Sequence, residues 1–99
     1  NNAGSNCSED GRRTCFAQPG QIGIELSDQS HGHEKDKKIV VVQYVEKHSP
    51  LRGILLEGDH ILEVCNITTD DMSSHEVLNV LISNEEKWRK IVFTSAEER

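Results

Sequence analysis

Leu55-Leu56-Glu57-Gly58-Asp59-His60-Ile61-Leu62-Glu63-Val64 is the stretch whose reading decides the fold. Gly followed by Asp favours a tight turn, because Gly accepts a left-handed backbone and Asp bonds its own main chain. The residues from Ile61 to Cys65 then read as a half-buried strand. The segment therefore predicts a sharp corner that feeds a sheet.

Upstream of this corner, Ser49-Pro50 opens a single short helical turn, with Ser as cap and Pro at the first helical position, and Gly53 closes it. Ile39-Val40-Val41-Val42-Gln43-Tyr44-Val45 is dense in β-branched residues and predicts a central strand. Ser27 to Lys38 is polar, carries Gly32 and reads as a long exposed loop. Ile22, Ile24 and Leu26 alternate with Gly23 and Glu25, the period of a strand with one buried face. Arg12 to Gln18 offers a further short strand around Cys15 and Phe16, ended by the breaker pair Pro19-Gly20. Residues 1–11, with only Ala3 and Cys7 apolar, are too polar to offset the entropy of ordering and read as a flexible arm.

Downstream, Asn66 suits a left-handed turn position and Ile67 a brief further pairing. Val77, Leu78, Leu81 and Ile82 recur at helical spacing, which predicts a helix from Ser74 to about Ser83, capped by Ser73 or Ser74. After a polar turn at Asn84-Glu85-Glu86-Lys87, Trp88 to Thr94 alternates as a closing strand, with Arg89, Ile91 and Phe93 in phase on one face. Residues 96–99 form a tail. This order predicts one α+β domain over residues 12–95, mainly β, in which a curved antiparallel sheet is capped by two helices.

The chain of 99 residues suits a single domain of modest core. Opening at Asn1 without Met, it reads as a module cut from a larger protein. Seventeen acids against 11 bases leave a formal charge of −6, which argues against nucleic acid as a partner, because counterion release needs a basic face. No apolar run approaches the roughly 18 residues that span a bilayer, and no charged-then-apolar leader opens the chain, so membrane insertion is not expected. Cys7, Cys15 and Cys65 are odd in number and irregular in spacing, which fits free thiols in a reducing compartment. Two glycosylation sequons, at Asn6 and Asn66, read as chance.

These motifs resemble, in order and spacing, those of the PDZ domain family over about residues 12 to 95. Gln21-Ile22-Gly23-Ile24 stands where the family has its Gly-Leu-Gly-Phe loop. Gly53-Ile54-Leu55-Leu56-Glu57-Gly58-Asp59 stands at Gly-x-Leu-x-x-Gly-Asp, and Ser74-His75-Glu76-Val77-Leu78 at the start of the second helix. The resemblance implies a five- to six-stranded, partly open antiparallel barrel capped by two helices. It also implies that the module binds the C-terminal tails of receptors, channels or signalling proteins by β-strand addition, in the cytoplasm and beneath a membrane.

The resemblance further implies that the amides of Ile22, Gly23 and Ile24 hold the terminal carboxylate. The terminal Val, Leu or Ile side chain would enter a pocket of Ile22, Ile24, Leu26, Leu78 and Leu81. Glu25, Ser27 and Asp28 would pair with the peptide, and Ser74 and His75 would select among ligands. Affinity is expected in the micromolar range, about −8 kcal/mol or weaker. Three departures stand out. Ala17 occupies the place of a basic residue that relatives carry before the loop, which leaves charge assistance to Arg12 or Arg13. Gln21 replaces the first loop Gly, and Ser74 replaces a His that selects a ligand hydroxyl. His75 lies one residue later, about 100° round the helix.

Rival chemistries fit less well. His31-x-His33 with Glu34 offers metal ligands, but structural zinc asks for four and no others are in view, so no metal or cofactor is expected. Lys35, Lys37 and Lys38 suit contact with acidic residues of a ligand. Ser74 and His75 are helical neighbours that do not face each other, and the acid pairs Glu57/Asp59 and Asp70/Asp71 lie in turns, so no catalysis is expected. Two alternatives to tail capture are a domain or dimer contact through the open edge and a regulatory module of a larger enzyme.

Overall fold

The computed structural model describes residues 11–31 and 34–95. Its elements are β1 (Arg12–Ala17), β2 (Ile24–His31), β3 (Glu34–Val45), β4 (His60–Val64), β5 (Ile67–Thr68), α1 (Ser74–Ser83) and β6 (Arg89–Thr94). All strand pairs are antiparallel, in the order β1-β6-β4-β3-β2, with β5 added to β4. The sheet is mainly β in character and curved over its core, but it does not close: β1 and β2 are its two ends.

The Gly-Asp corner forms as the sequence predicts. Gly58 takes a φ of 95°, a conformation that costs Gly nothing, and its N–H donates to the Val42 carbonyl at 2.8 Å. Asp59 is buried, and its Oδ2 accepts from the Leu56 N–H at 2.9 Å. The Asp59 carbonyl in turn accepts from Val42 at 2.8 Å, so the corner is stitched to β3 from both sides. β3 is buried at Ile39, Val40, Val41 and Val42 alike, as a β-branched run in a central strand requires. Cys65 and Asn66, both at positive φ, make the two-residue turn between β4 and β5.

Helix α1 begins at Ser74, with Ser73 as its N-cap. Ser73 Oγ accepts from the Glu76 N–H and the Glu76 carboxylate accepts from the Ser73 N–H, a complete capping box. Val77 and Leu81 point into the core, while Ile82 is left exposed.

Two expectations are corrected. Only one helix is present among the described residues, because the segment after Ser49 is too short to propagate a ladder. It closes as turns instead, with Arg52 N–H on the Ser49 carbonyl at 3.0 Å and Leu55 N–H on the Leu51 carbonyl at 3.0 Å. The expected loop from Ser27 to Lys38 is largely sheet: β2 and β3 continue as a hairpin through Ser30↔Lys38 and His31↔Glu34. Backbone pairing needs no apolar side chain, so polarity there hid a ladder that runs on past the core.

Candidate functional site

From Gly20 to Gly23 the loop that joins β1 to β2 is held from behind at three carbonyls. Ser49 Oγ donates to the Ile22 carbonyl, the Glu46 N–H to the Gly23 carbonyl at 2.8 Å, and Arg89 Nη2 to the Gly20 carbonyl at 2.6 Å. In a trans peptide the carbonyl and the following N–H point in opposite directions. Pinning these three oxygens therefore turns the amides of Gln21, Gly23 and Ile24 away from Arg89, Ser49 and β3. The Gln21 carbonyl has no such partner among the described residues, so the Ile22 amide is not aimed in this way. Gly23 holds a φ of 58°, which lets the chain reverse within this short loop.

A cavity of about 310 Å³ opens beside these amides. Ile22, Gly23 and Ile24 line it from the loop, and Leu78, Leu81 and Ile82 from α1. This volume is at the small end for ligand sites, about 300 to 1,000 Å³. Leu26 is not in the lining: it is half-buried and packs against the core, since two residues along a strand carry it roughly 6 to 7 Å past the cavity.

The outer edge of β2 continues from the cavity and pairs with no strand among the described residues. α1 packs alongside it. Glu25 and Asp28 are exposed on β2 and Ser27 is half-buried. At the far end Asp28 is bonded to Ser74, while His75 is exposed. Beyond lies a more polar hollow where Asp28, Lys38, Asp70, Asp71 and Glu76 meet.

Arg89, Glu46 and Glu85 also line the cavity, and none was singled out from the sequence. Arg89 carried a signal, since it alternates in phase with the buried Ile91 and Phe93. The Glu46 carboxylate lies against Gly23: a Cβ on that residue would stand 3.0 Å from Glu46 Cδ. Cys15 is buried, and burial pushes its thiol up to about 11. Arg12 and Arg13 lie on β1 and are not among the residues that line the cavity. His33 lies outside the described residues, as do the side chains of His31, Glu34, Lys35 and Lys37. Among the described residues no group of three or more His, Cys, Asp or Glu is placed to hold a metal ion, and no helix is long and apolar enough to cross a membrane.

A hollow between a sheet edge and a helix, with backbone donors at one end, suits an extended chain that ends in an anion. Solved structures share this architecture. The third PDZ domain of INAD in complex with a TRP channel tail is 15% identical, with a TM-score of 0.71 over 88% of this chain and 89% of that one. The third PDZ domain of Dlg1 from the choanoflagellate Monosiga brevicollis is 16% identical, with a TM-score of 0.70 over 92% and 93%. The N-terminal PDZ domain of InaD in complex with a NorpA C-terminal peptide is 16% identical, with a TM-score of 0.68 over 85% and 97%. No curated protein sequence matches. The sequence model of the PDZ domain matches residues 14–91, and the chain therefore belongs to the PDZ family of protein–protein interaction modules.

Proposed function

We propose that this domain captures the C-terminal tail of a partner protein as an added strand on β2, in the groove beside α1. The terminal carboxylate sits at the loop of Ile22, Gly23 and Ile24, and a terminal Val, Leu or Ile side chain fills the hollow against Leu78 and Leu81. One observation carries the reading: a sheet edge unpaired among the described residues, outward amides and a small apolar cavity meet at a single place. The partners are tails of receptors, channels or signalling proteins, presented at the cytoplasmic face of a membrane. The InaD and INAD structures, which hold a C-terminal peptide and a channel tail, support this reading.

A second reading, in which another domain docks on the β2 edge without a free chain end, draws support from the Glu46 carboxylate beside Gly23, which opposes a second anion. The two readings separate in one titration. Octapeptides ending in Val, Leu or Ile are added to the domain as free acids and as C-terminal amides. Tail capture requires micromolar binding of some acids and a loss of at least about tenfold on amidation. Equal binding of acid and amide rejects tail capture and favours the edge contact.

A further inference from the structure

Arg89 is 2% exposed, on the inward face of β6, with Ala17 opposite it on β1. A buried cation is costly unless an anion or several hydrogen bonds compensate it. Among the described residues its partners are backbone carbonyls alone. Nη1 donates to the Leu81 carbonyl at 2.9 Å, and Nη2 to the carbonyls of Gln18 and Gly20. Among the described residues Nε is buried with no partner, and no carboxylate forms an ion pair with the guanidinium. The Leu81 contact places the cation at the C-terminal turn of α1, which has no basic residue of its own. The negative end of that helix offsets about half a charge, and Arg89 is among the residues that line the cavity.

From this we infer that Arg89 is the positioning residue for the ligand's terminal carboxylate: a fixed cation beneath the loop, whose missing counter-charge is the chain end of the partner. The inference rests on the tail-capture reading and adds to it the source of the charge. Arg89 acts in two ways. Its Nη2 bonds hold Gln18 and Gly20, so the loop is set before the ligand arrives and the Gln21 amide is turned outward. Its charge supplies potential of the sign a carboxylate needs, inside a wall where water screens it little. The same charge bears on Cys65, whose thiol is raised by burial, a rise that Arg89 and Lys87 only partly oppose. The acids at the cavity rim oppose it less, because Glu46 is exposed and Glu85 half-exposed, where solvent damps their effect.

The test uses the whole 99-residue chain and a pool of octapeptides with random upstream residues and a terminal Val, as free acid and as amide. Wild type is expected to prefer the acid pool by at least about tenfold, and Arg89→Met by no more than about twofold, with Arg89→Lys in between. Folding of each variant is checked by its amide spectrum. A second reading needs no variant: the Nε–H resonance of Arg89 in the wild-type domain should move on saturation with the acid pool and stay in place with the amide pool. If Arg89→Met folds and keeps the full acid preference, or if the Nε–H resonance ignores the acid, Arg89 is only a structural prop and tail capture stands without it. If wild type shows no acid preference, tail capture itself fails, and this inference goes with it.

Discussion

Asp28 on β2 and Ser74 at the first turn of α1 are joined twice across the groove: the Ser74 N–H donates to Asp28 Oδ1 at 2.8 Å, and its hydroxyl to Oδ2 at 2.9 Å. One carboxylate thereby takes up an orphan donor of the helix start and ties the helix to the sheet edge on which a ligand strand would pair. The first residue of the helix is thus already engaged within the domain.

Asp28→Ala is expected to lower stability by about 1 kcal/mol, the net worth of such exposed bonds. Ser74→Ala should do less, because its N–H still reaches Asp28. Urea denaturation of both variants checks the order. In the same variants, peptides with Ser or Thr two residues before the end should change in affinity more than peptides with Ala there, since the clasp occupies the group that would meet them.

Gly23→Val forces a β-branched residue into a left-handed backbone, at a cost of about 1 to 2 kcal/mol. The nearest atoms to the new Cβ belong to the exposed Glu46 side chain: its carboxylate end can swing aside, while its Cβ, at 3.2 Å, must give by a few tenths of an ångström, a local adjustment that the fold should survive. Binding of free-acid peptides should fall by more than about tenfold, because the outward amides lose their alignment. Fluorescence polarisation beside a thermal melt tests it; unchanged binding by a folded variant rejects the loop as the carboxylate site.

Glu46→Gln removes an anion from the rim of the cavity. Affinity for free-acid peptides should rise about two- to fivefold at low salt and by less at high salt, as expected for an exposed charge. Amidated peptides should be indifferent to the change. An equal rise for both forms would show that Glu46 obstructs by bulk rather than by charge.

Cys15 gives a stability prediction with a definite sign. Its folded thiol titrates at about 11 against 9.0 for the unperturbed group. Between these values the unfolded chain releases a proton that the folded chain keeps, so this contribution is present below pH 9 and is lost as pH rises toward 11. Urea midpoints at pH 8, 9 and 10 should fall more steeply for wild type than for Cys15→Ala. Parallel slopes would rule out the thiol as the cause.

Much of the fold was legible because its signals are local. The Gly58-Asp59 corner, the capped helix from Ser74 to Ser83 and the β-branched run of β3 each follow from residues within a few positions of one another, through φ preference, capping and side-chain period. The polar arm of the β2–β3 hairpin was misread because its pairing lies in backbone bonds, which leave no trace in hydropathy. The turn after Ser49 was read correctly as local structure, but it was too short to count as a second helix.

The site divides in the same way. Gly23, Ile24 and Leu78 could be named from their motif and period, and Arg89 was even in phase with the core. Its place beneath the loop could not be read, because it depends on carbonyls 69 and 71 positions away. The Asp28–Ser74 clasp spans 46 positions and the Ser49–Ile22 bond 27. Such meetings are set by strand order and by the angle at which the helix crosses the sheet, and no local rule encodes them. The residues alone settled which segments bend, pair and coil; which cation lies beneath the loop, and which acid holds the helix, was decided only when the packed chain brought distant groups within hydrogen-bonding range.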